Sequence, residues 1–380
     1  MDIKDLRKEI DAVDSQLVEL FHRRMELSEQ IAQWKKAEGR PVYDPARERE
    51  KLAEIAAASG EDMREYSTIL WSLLMDLSKT YQQSLSAGTG ELGSRISAAL
   101  ESTPKVFPQF ASVACQGTEG AYSQIACEKL FSVPSIMYFK TFDAVFTAIE
   151  QGFCQYGVLP IENSTAGSVN QVYDLMMKHN FHIARSVRIK IDHSLVAKKG
   201  TKKGDIREIV SHEQALNQCA GYIKSLGNVK VTVCENTAEA ARLVAESGRL
   251  DIAALCSHNC EDLYGLNCIE ESVQDKGSNF TRFICISKEL EIYPGADKTS
   301  IMAVTAHKPG ALYKLMSRFF AYGINLTKLE SRPLPDRNFE FMFYFDLDKS
   351  VHAPQLIRLM DEIGDMCERF EYLGSYSEVV

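Results

Sequence analysis

Two sets of residues combine types and spacings that could do chemistry. The first is cationic. In the opening segment Ile3, Leu6, Ile10, Val13, Leu17 and Leu20, then Leu27, Ile31 and Trp34, recur in steps of three and four. That is the seam of a helix packing on other helices. The next step after Leu20 lands on Arg24. Lys35 follows eleven residues later, three turns on and on nearly the same face. Arg47 and Glu48 lie early in a second helical stretch, and Ser78 and Gln82 stand i, i+4 on a third, where Ser78 continues the apolar stripe. A buried guanidinium without a partner is costly. Few obvious acids beyond Glu48 are at hand, so a bound anion would meet the need, and arginine's planar fork suits a carboxylate. Arg7 precedes Arg24 by 17 residues, about 25 Å along one helix and a quarter turn away. Both cannot grip one small molecule from a single copy of that helix. If both serve one site, Arg7 comes from a second chain, and the site implies a dimer. Each of these residues alone reads as an ion pair or a solvated charge; together they point to a site for a small dianion.

The second set lies in turns rich in small polar residues: Gly117–Ser123, Pro160–Gly167 and Ser211–Leu216. Each ends a strand and opens a helix, where free backbone N–H groups attract anions. In open α/β sheets ligands sit at the carboxyl ends of strands. Asn279–Phe283 adds a threonine and an arginine at the head of a strand. His212 reads either as a general acid or as a hydrogen-bonded histidine at a strand end. Cys256, His258, Cys260 and Cys268 match no common zinc spacing, so no metal is expected. Gly88–Gly93 is formally GxGxxG, but a helix end precedes it instead of a strand, which argues against a dinucleotide loop.

The elements that must hold these residues fall into blocks. Residues 1–86 read as all-helical: a long helix over about 3–38, a second from Asp44-Pro45 (N-cap and N1 proline) to about Ser59, and a third from about Tyr66 to Leu85. Asp44 is thus either a site residue or only a cap. Residues 87–110, rich in Gly, Ser, Thr and Pro, read as a linker. Residues 111–287 alternate short apolar runs with helical stretches, an α/β region with a mostly parallel sheet. Residues 288–298 form a second connector, and 299–380 follow the order βαββαβ, a ferredoxin-like unit. The chain is 45% apolar and 25% charged, a globular composition. Its net charge of -9 speaks against general nucleic-acid binding. No apolar run reaches membrane-helix length. Ten cysteines with no CxxC pair and no secretory leader read as reduced thiols in the cytoplasm.

These residues carry a family resemblance. "LRKEIDAVDSQLVELFHRRMELSEQIAQWKK" followed by "RPVYDPARERE" resembles the all-helical chorismate mutases. The family's site pattern falls on Arg7, Arg24, Lys35, Asp44, Arg47, Glu48, Ser78 and Gln82. The resemblance implies a helical dimer in which chorismate rearranges to prephenate. Arg7, crossing from the partner, and Arg24 would clamp the carboxylates. Lys35 and Gln82 would donate to the ether oxygen, Glu48 would receive the substrate hydroxyl, and Arg47 and Ser78 would complete the pocket.

"PIENSTAGSVNQVYDLM", "NFTRF", "SHEQALNQC" and "GTEGAYS" resemble prephenate dehydratases; Thr118 and Glu213 stand where that family more often has proline. The resemblance implies two α/β lobes around a cleft, as in periplasmic binding proteins. It also implies loss of CO2 and water from prephenate to give phenylpyruvate. It places Thr281 at the departing hydroxyl, and Asn163, Ser164, Thr165, Ser211, Gln214, Gln218 and Phe283 at the substrate. Glu162 would contact substrate or orient its neighbours, and Arg282 would hold a carboxylate or serve structure.

"KPGALYKL" and "LESRP" resemble ACT regulatory domains. The implied effector is L-phenylalanine, bound between subunits by Gly310, Ala311 and Leu312 with Glu330, Ser331, Arg332 and Pro333. In this order the three stretches resemble the bacterial bifunctional chorismate mutase–prephenate dehydratase family, the P-proteins. The resemblance implies no cofactor and a homodimer or higher homo-oligomer, with no nucleic-acid or membrane partner. The alternatives are a dehydratase whose helical domain only dimerises, a non-catalytic amino-acid sensor, and a mutase joined to a dehydrogenase; the last would need a real nucleotide fingerprint.

Overall fold

The computed structural model describes residues 2–40, 42–85, 90–334 and 340–380. Gly88 and Thr89 of the GxGxxG stretch lie outside them. The chain divides into two compact units. One joins Met1–Ser94 with Tyr313–Gly323 and Ile357–Met366; the other holds Arg95–Leu312, Ile324–Leu356 and Cys367–Val380.

The first unit opens with α1 (Ile3–Ala37), α2 (Pro45–Ala58) and α3 (Gly60–Leu85). Gly39, just past α1, has φ +63°, the left-handed turn that ends a helix. Asp44 caps α2, its Oδ1 accepting from the Arg47 N–H at 3.1 Å, with Pro45 at N1. Among the described residues no helix is long and apolar enough to cross a membrane.

The stretch expected to be a linker instead holds a helix, α4 (Glu91–Ser102). Its glycines and serines read as breakers, yet Gly93, Ile96 and Ala99 recur at helical spacing and are buried. Its first N–H groups are capped from afar: Asp361 accepts from Gly90 at 2.9 Å and Gly93 at 3.4 Å. A Cβ at Gly90 would lie 2.5 Å from the Asp361 carboxylate. So the last two glycines of the GxGxxG stretch receive an anion, and it is the chain's own.

The second unit continues with β1 (Phe110–Gln116), α5 (Tyr122–Leu130), β2 (Val133–Phe139), α6 (Phe142–Glu150), β3 (Tyr156–Asn163), β4 (Gly167–Ser168), α7 (Asn170–Lys178) and β5 (His182–Lys190). Next come β6 (Ser194–Ala197), β7 (Glu208–Ser211), α8 (Glu213–Gln218), α9 (Ala220–Ser225), β8 (Lys230–Val233), α10 (Thr237–Glu246), β9 (Ile252–Cys256), α11 (Asn259–Tyr264) and β10 (Asn267–Glu270). The chain then returns through β11 (Phe280–Ser287).

Two sheets result. One has the order β16-β5-β11-β3-β1-β2 with β4 on β3, where β16 is Glu378–Val379; the other is β10-β6-β9-β7-β8. Both are mixed, not mostly parallel. β1 runs parallel to β2 and β3, and β7 to β8 and β9, but β11 is antiparallel to β3 and β5, and β6 to β9. The reason is topological: the chain leaves the first sheet after β5, builds the second, and re-enters through β11 from the opposite end. Leu159 and Ile161 of β3 pack with α6 and α7 side chains on one face, and Val158 packs with Val113, Cys115 and Cys285 on the other, the period of two that a doubly covered strand requires.

The rest of the chain is β12 (Lys298–Val304), α12 (Ala311–Ala321), β13 (Asn325–Pro333), β14 (Phe341–Asp348), α13 (Pro354–Met366) and β15 (Arg369–Tyr376). Its antiparallel sheet has the order β13-β14-β12-β15, the ferredoxin-like arrangement expected, with β13 at an edge. Met302, Met342 and Tyr344 of this sheet join the core that holds Leu159, Ile161 and Tyr173.

Candidate active sites

In the helical unit Arg24 is half-buried on α1. Its Nη1 donates to the Leu74 carbonyl at 2.9 Å and to Ser78 Oγ, both on α3. Burial lowers its pKa, a sign that the guanidinium is partly stripped of water. Lys35 donates to the Val42 carbonyl at 2.5 Å. Both cations therefore rest on neutral oxygens. Ser78 and Gln82 are buried on α3. Glu48 is paired with a cation absent from the sequence expectation, Lys79, at 2.5 Å. Asp44 is exposed and capping, so its cap role stands, and Arg47 is exposed and paired with Glu50. Arg7 is exposed on the N-terminal half of α1. There the seam that was expected to be buried is open: Ile3, Leu6, Ile10, Val13, Leu17 and Leu20 are 41–65% exposed.

The α/β lobes enclose a cleft of about 520 Å³. Thr281, Asn163 and Phe283 line it from the first sheet, Gln214 and Gln218 from the second lobe, and His193 from the crossing between them. Its polar wall is a network of amides. Asn163 Oδ1 accepts from the N–H groups of Thr165 and Ala166 at 3.0 and 2.9 Å and from Thr165 Oγ1 at 2.7 Å. That fixes which end of the amide is oxygen. Its Nδ2 then donates to Asn279 Oδ1 at 2.7 Å and Thr281 Oγ1 at 2.9 Å. A hydroxyl that accepts in this way keeps its own proton to donate. Asn279 Nδ2 continues to Gln218 Oε1 at 2.9 Å, and His193 Nε2 stands 3.0 Å from the same oxygen. Gln218 Oε1 can only accept, so Nε2 carries the His193 proton. Burial lowers the His193 pKa, which keeps the ring neutral.

His212 Nδ1 accepts from the Gln214 N–H at 3.2 Å, so this ring caps α8, in line with the strand-end reading. At α5 the N-cap is Ala121, which has no side-chain acceptor for the helix's first N–H groups, and Ala121, Tyr122 and Ser123 line the cleft. Thr165 lines a shallower depression with Gln214 and Gln218. Ser164 Oγ accepts from the Phe280 N–H at 2.9 Å, tying β3's end to β11.

Three expected contacts are turned away. Glu162 and Arg282 neighbour Asn163 and Thr281, and successive strand residues face opposite sides. Arg282 Nε lies 2.9 Å from Glu162 Oε1, and its Nη2 donates to buried Asp346 of β14. Burial opposes the charge on Arg282, but the Asp346 and Glu162 carboxylates outweigh it and raise the pKa. The Arg282 guanidinium is thus engaged by two of the chain's own carboxylates. Ser211 is fully buried and donates to the Leu255 carbonyl at 2.6 Å. The four residues weighed as a metal set are split: Cys256 and Cys260 lie in a hydrophobic core, while His258 and Cys268 approach Glu271.

Comparison with known proteins places this geometry. Residues 6–83 match the chorismate mutase type II model, and residues 113–291 match the prephenate dehydratase model. The bifunctional chorismate mutase/prephenate dehydratase of Aquifex aeolicus is 31% identical over 100% of this chain and 99% of its own. The chain belongs to the bifunctional chorismate mutase/prephenate dehydratase family. It is an enzyme with both activities: a mutase that converts chorismate to prephenate and a dehydratase that converts prephenate to phenylpyruvate, on the route to L-phenylalanine. An Arabidopsis thaliana arogenate dehydratase/prephenate dehydratase is 37% identical over 70% of this chain and 72% of its own. Among solved structures, a prephenate dehydratase from Arthrobacter aurescens in complex with L-Phe superposes with a TM-score of 0.65, at 26% identity, covering 70% of this chain and 90% of that one.

In this bifunctional enzyme the C-terminal segments expected to bind an effector are placed as follows. Gly310, with φ +80°, leads into α12, which begins at Ala311 and Leu312. Along β13 the side chains alternate. Ser331 and Pro333 are exposed, whereas Glu330 takes a hydrogen bond from Ser168 Oγ at 2.5 Å and Arg332 forks onto Asp174 at 2.9 and 3.0 Å. Lys328 on the same face reaches Glu162. Sequence reasoning did not single out Lys79, Lys328, Asn279 or His193. Asn279 was within reach: it stands two residues before Thr281, just ahead of β11.

Proposed function

We propose that Arg24, Lys35, Ser78, Gln82 and Glu48 form the mutase site, completed by Arg7 of a second copy. The observation that carries it is the Arg24 guanidinium, partly desolvated and resting on a hydroxyl and a carbonyl. A cation so placed is ready to bind a carboxylate and explains a helical domain that does more than dimerise. The rearrangement is unimolecular and transfers no proton. The site has to hold a flexible dicarboxylate in its reactive conformer and stabilise charge growing on the ether oxygen. Arg7 and Arg24 clamp the carboxylates, Lys35 and Gln82 donate to the ether oxygen, and Glu48 takes the substrate hydroxyl. The open seam on α1 supports a homodimer or larger assembly.

In the dehydratase cleft, Asn163 aims the Thr281 hydroxyl proton at the departing hydroxyl of prephenate. Thr281 is a weak acid, so it orients or relays a proton as the ring carboxylate leaves as CO2. The uncapped start of α5 offers N–H groups to a substrate carboxylate, with Gln214 and Gln218 facing it from the second lobe. The C-terminal ferredoxin-like unit serves as an ACT domain for feedback inhibition by L-phenylalanine, with Gly310–Leu312 and Glu330–Pro333 meeting the effector at a subunit boundary. Domain limits of 1–86, 111–287 and 299–380 fit this division of labour. Ten free cysteines suit a cytoplasmic protein.

One assay tests the reading: chorismate is supplied to purified protein, prephenate and phenylpyruvate are followed separately, and L-phenylalanine is then added. Both products form in sequence and the effector lowers the second. Phenylpyruvate from added prephenate, but none from chorismate, would leave only the monofunctional dehydratase. Arogenate supplied in place of prephenate defines the substrate range.

A further inference from the structure

Glu48 is held from α3 by Lys79, whose Nζ lies 2.5 Å from Glu48 Oε1 and 2.8 Å from Asp76 Oδ1. One ammonium is thus shared by two carboxylates, in a side chain only 16% exposed. Asp76 is itself buried, and it has a second cation: Arg318 Nη1 of α12 donates to the Asp76 carbonyl at 2.8 Å, with Nη2 3.9 Å from Oδ1. Arg318 is 5% exposed. Its neighbourhood holds another buried acid, Glu362 of α13, which accepts from Tyr322 at 2.5 Å and feels the Arg318 charge.

We propose that Lys79 is a positioning residue of the mutase site, and that Arg318, on the helix led by Gly310, sets its position through Asp76. The proposal rests on Glu48 being the carboxylate that receives the substrate hydroxyl. The physics is competition for one ammonium. While Arg318 compensates Asp76, Lys79 is available to fix Glu48. Without Arg318, Asp76 draws Lys79 toward itself and the Glu48 carboxylate loses its anchor. Chorismate is still gripped by the arginines, so turnover suffers more than binding. α12 thereby reaches the mutase site.

The test uses the full chain and two substrates. Lys79→Met should lower mutase kcat about tenfold with a smaller change in KM, and Lys79→Arg should recover most of it. Arg318→Met should lower mutase kcat about threefold, and adding it to Lys79→Met should lower it no further. Turnover of added prephenate should be unchanged in each. Asp76→Asn, nearly isosteric, removes the competing carboxylate and covers the case in which burial makes Arg318→Met fold poorly: it should keep mutase kcat near wild type and leave Lys79→Met no worse, and a tenfold loss in Asp76→Asn alone would overturn the competition for Lys79. Wild-type mutase constants in Lys79→Met, or additive losses in the double variant, would overturn the proposal. Arg24→Ala separates the two readings: if it keeps mutase turnover, the mutase site itself is misplaced; if it is inactive while Lys79→Met is unaffected, only the relay fails.

Discussion

The proposed mutase and dehydratase sites answer the same need, holding a small dianion, by opposite means. In the helices, charge does the work. Arg24 and Lys35 rest on neutral oxygens, and much of the apolar seam on α1 is open. In the lobes, geometry does it. The cleft wall is built of neutral amides and hydroxyls, each locked by another, from Asn163 through Asn279 and Gln218 to His193. Arg282, next to Thr281 in the chain, faces the other way and is paired with two acids. The difference follows the chemistry. A rearrangement that moves no proton needs charge and confinement, whereas loss of water needs a donor aimed at one oxygen.

The comparison can be broken by exchanging the expected losses. Arg24→Ala should cost the mutase about 10³-fold while leaving prephenate turnover near wild type. Chorismate and prephenate assays on one preparation would read both. An equal loss in both activities would mean that the two sites are not independent. Arg282→Met should act on folding: leaving Asp346 buried without its cation costs about 3–5 kcal/mol, seen as a lower unfolding midpoint in urea. A stable but inactive variant would instead return Arg282 to the substrate. Thr281→Ala should lower dehydratase kcat about 10²-fold and leave the mutase untouched.

Two smaller effects sharpen the contrast. Ile10→Glu with Leu17→Glu should shift the proposed dimer toward monomer by light scattering and weaken the mutase in step with that shift, with the dehydratase less affected. A pH effect belongs to the lobes. His193 is held neutral by burial, so below its ordinary pKa of about 6.5 the unfolded chain binds a proton that the folded one refuses. Stability from this residue is complete above that pH and falls as pH drops, by at most about 1.4 kcal/mol per pH unit. His182, lowered mainly by burial, works in the same sense. His193→Asn should flatten the urea midpoint against pH between 6.5 and 5; an unchanged slope would assign the effect elsewhere.

Legibility followed locality. The Asp44-Pro45 start of α2 and the ferredoxin-like order of the last 80 residues were readable because caps, turns and hydrophobic period are written in neighbouring residues. α4 was hidden because its cap, Asp361, lies some 270 residues away. For Glu162 and Arg282 the sequence leaves a substrate and a structural role both open, because a motif names residues without saying which side of the strand they take. Asn279 was discoverable from its place two residues before Thr281, just ahead of β11. His193 had no signal, since its role arises only where the chain crosses between the lobes.

The amino-acid sequence by itself determined the helices and strands, the cations set on an apolar seam and the polar turns at strand ends, because each depends on residues a few positions apart. Tertiary structure decided which carboxylates meet which cations. Lys79 is divided between Glu48 and Asp76, Arg282 is spent on Glu162 and Asp346, and Asn163 donates to the Thr281 hydroxyl oxygen. Pairing of this kind depends on distance through space and on what burial strips of water, and neither is a property of neighbours in the chain.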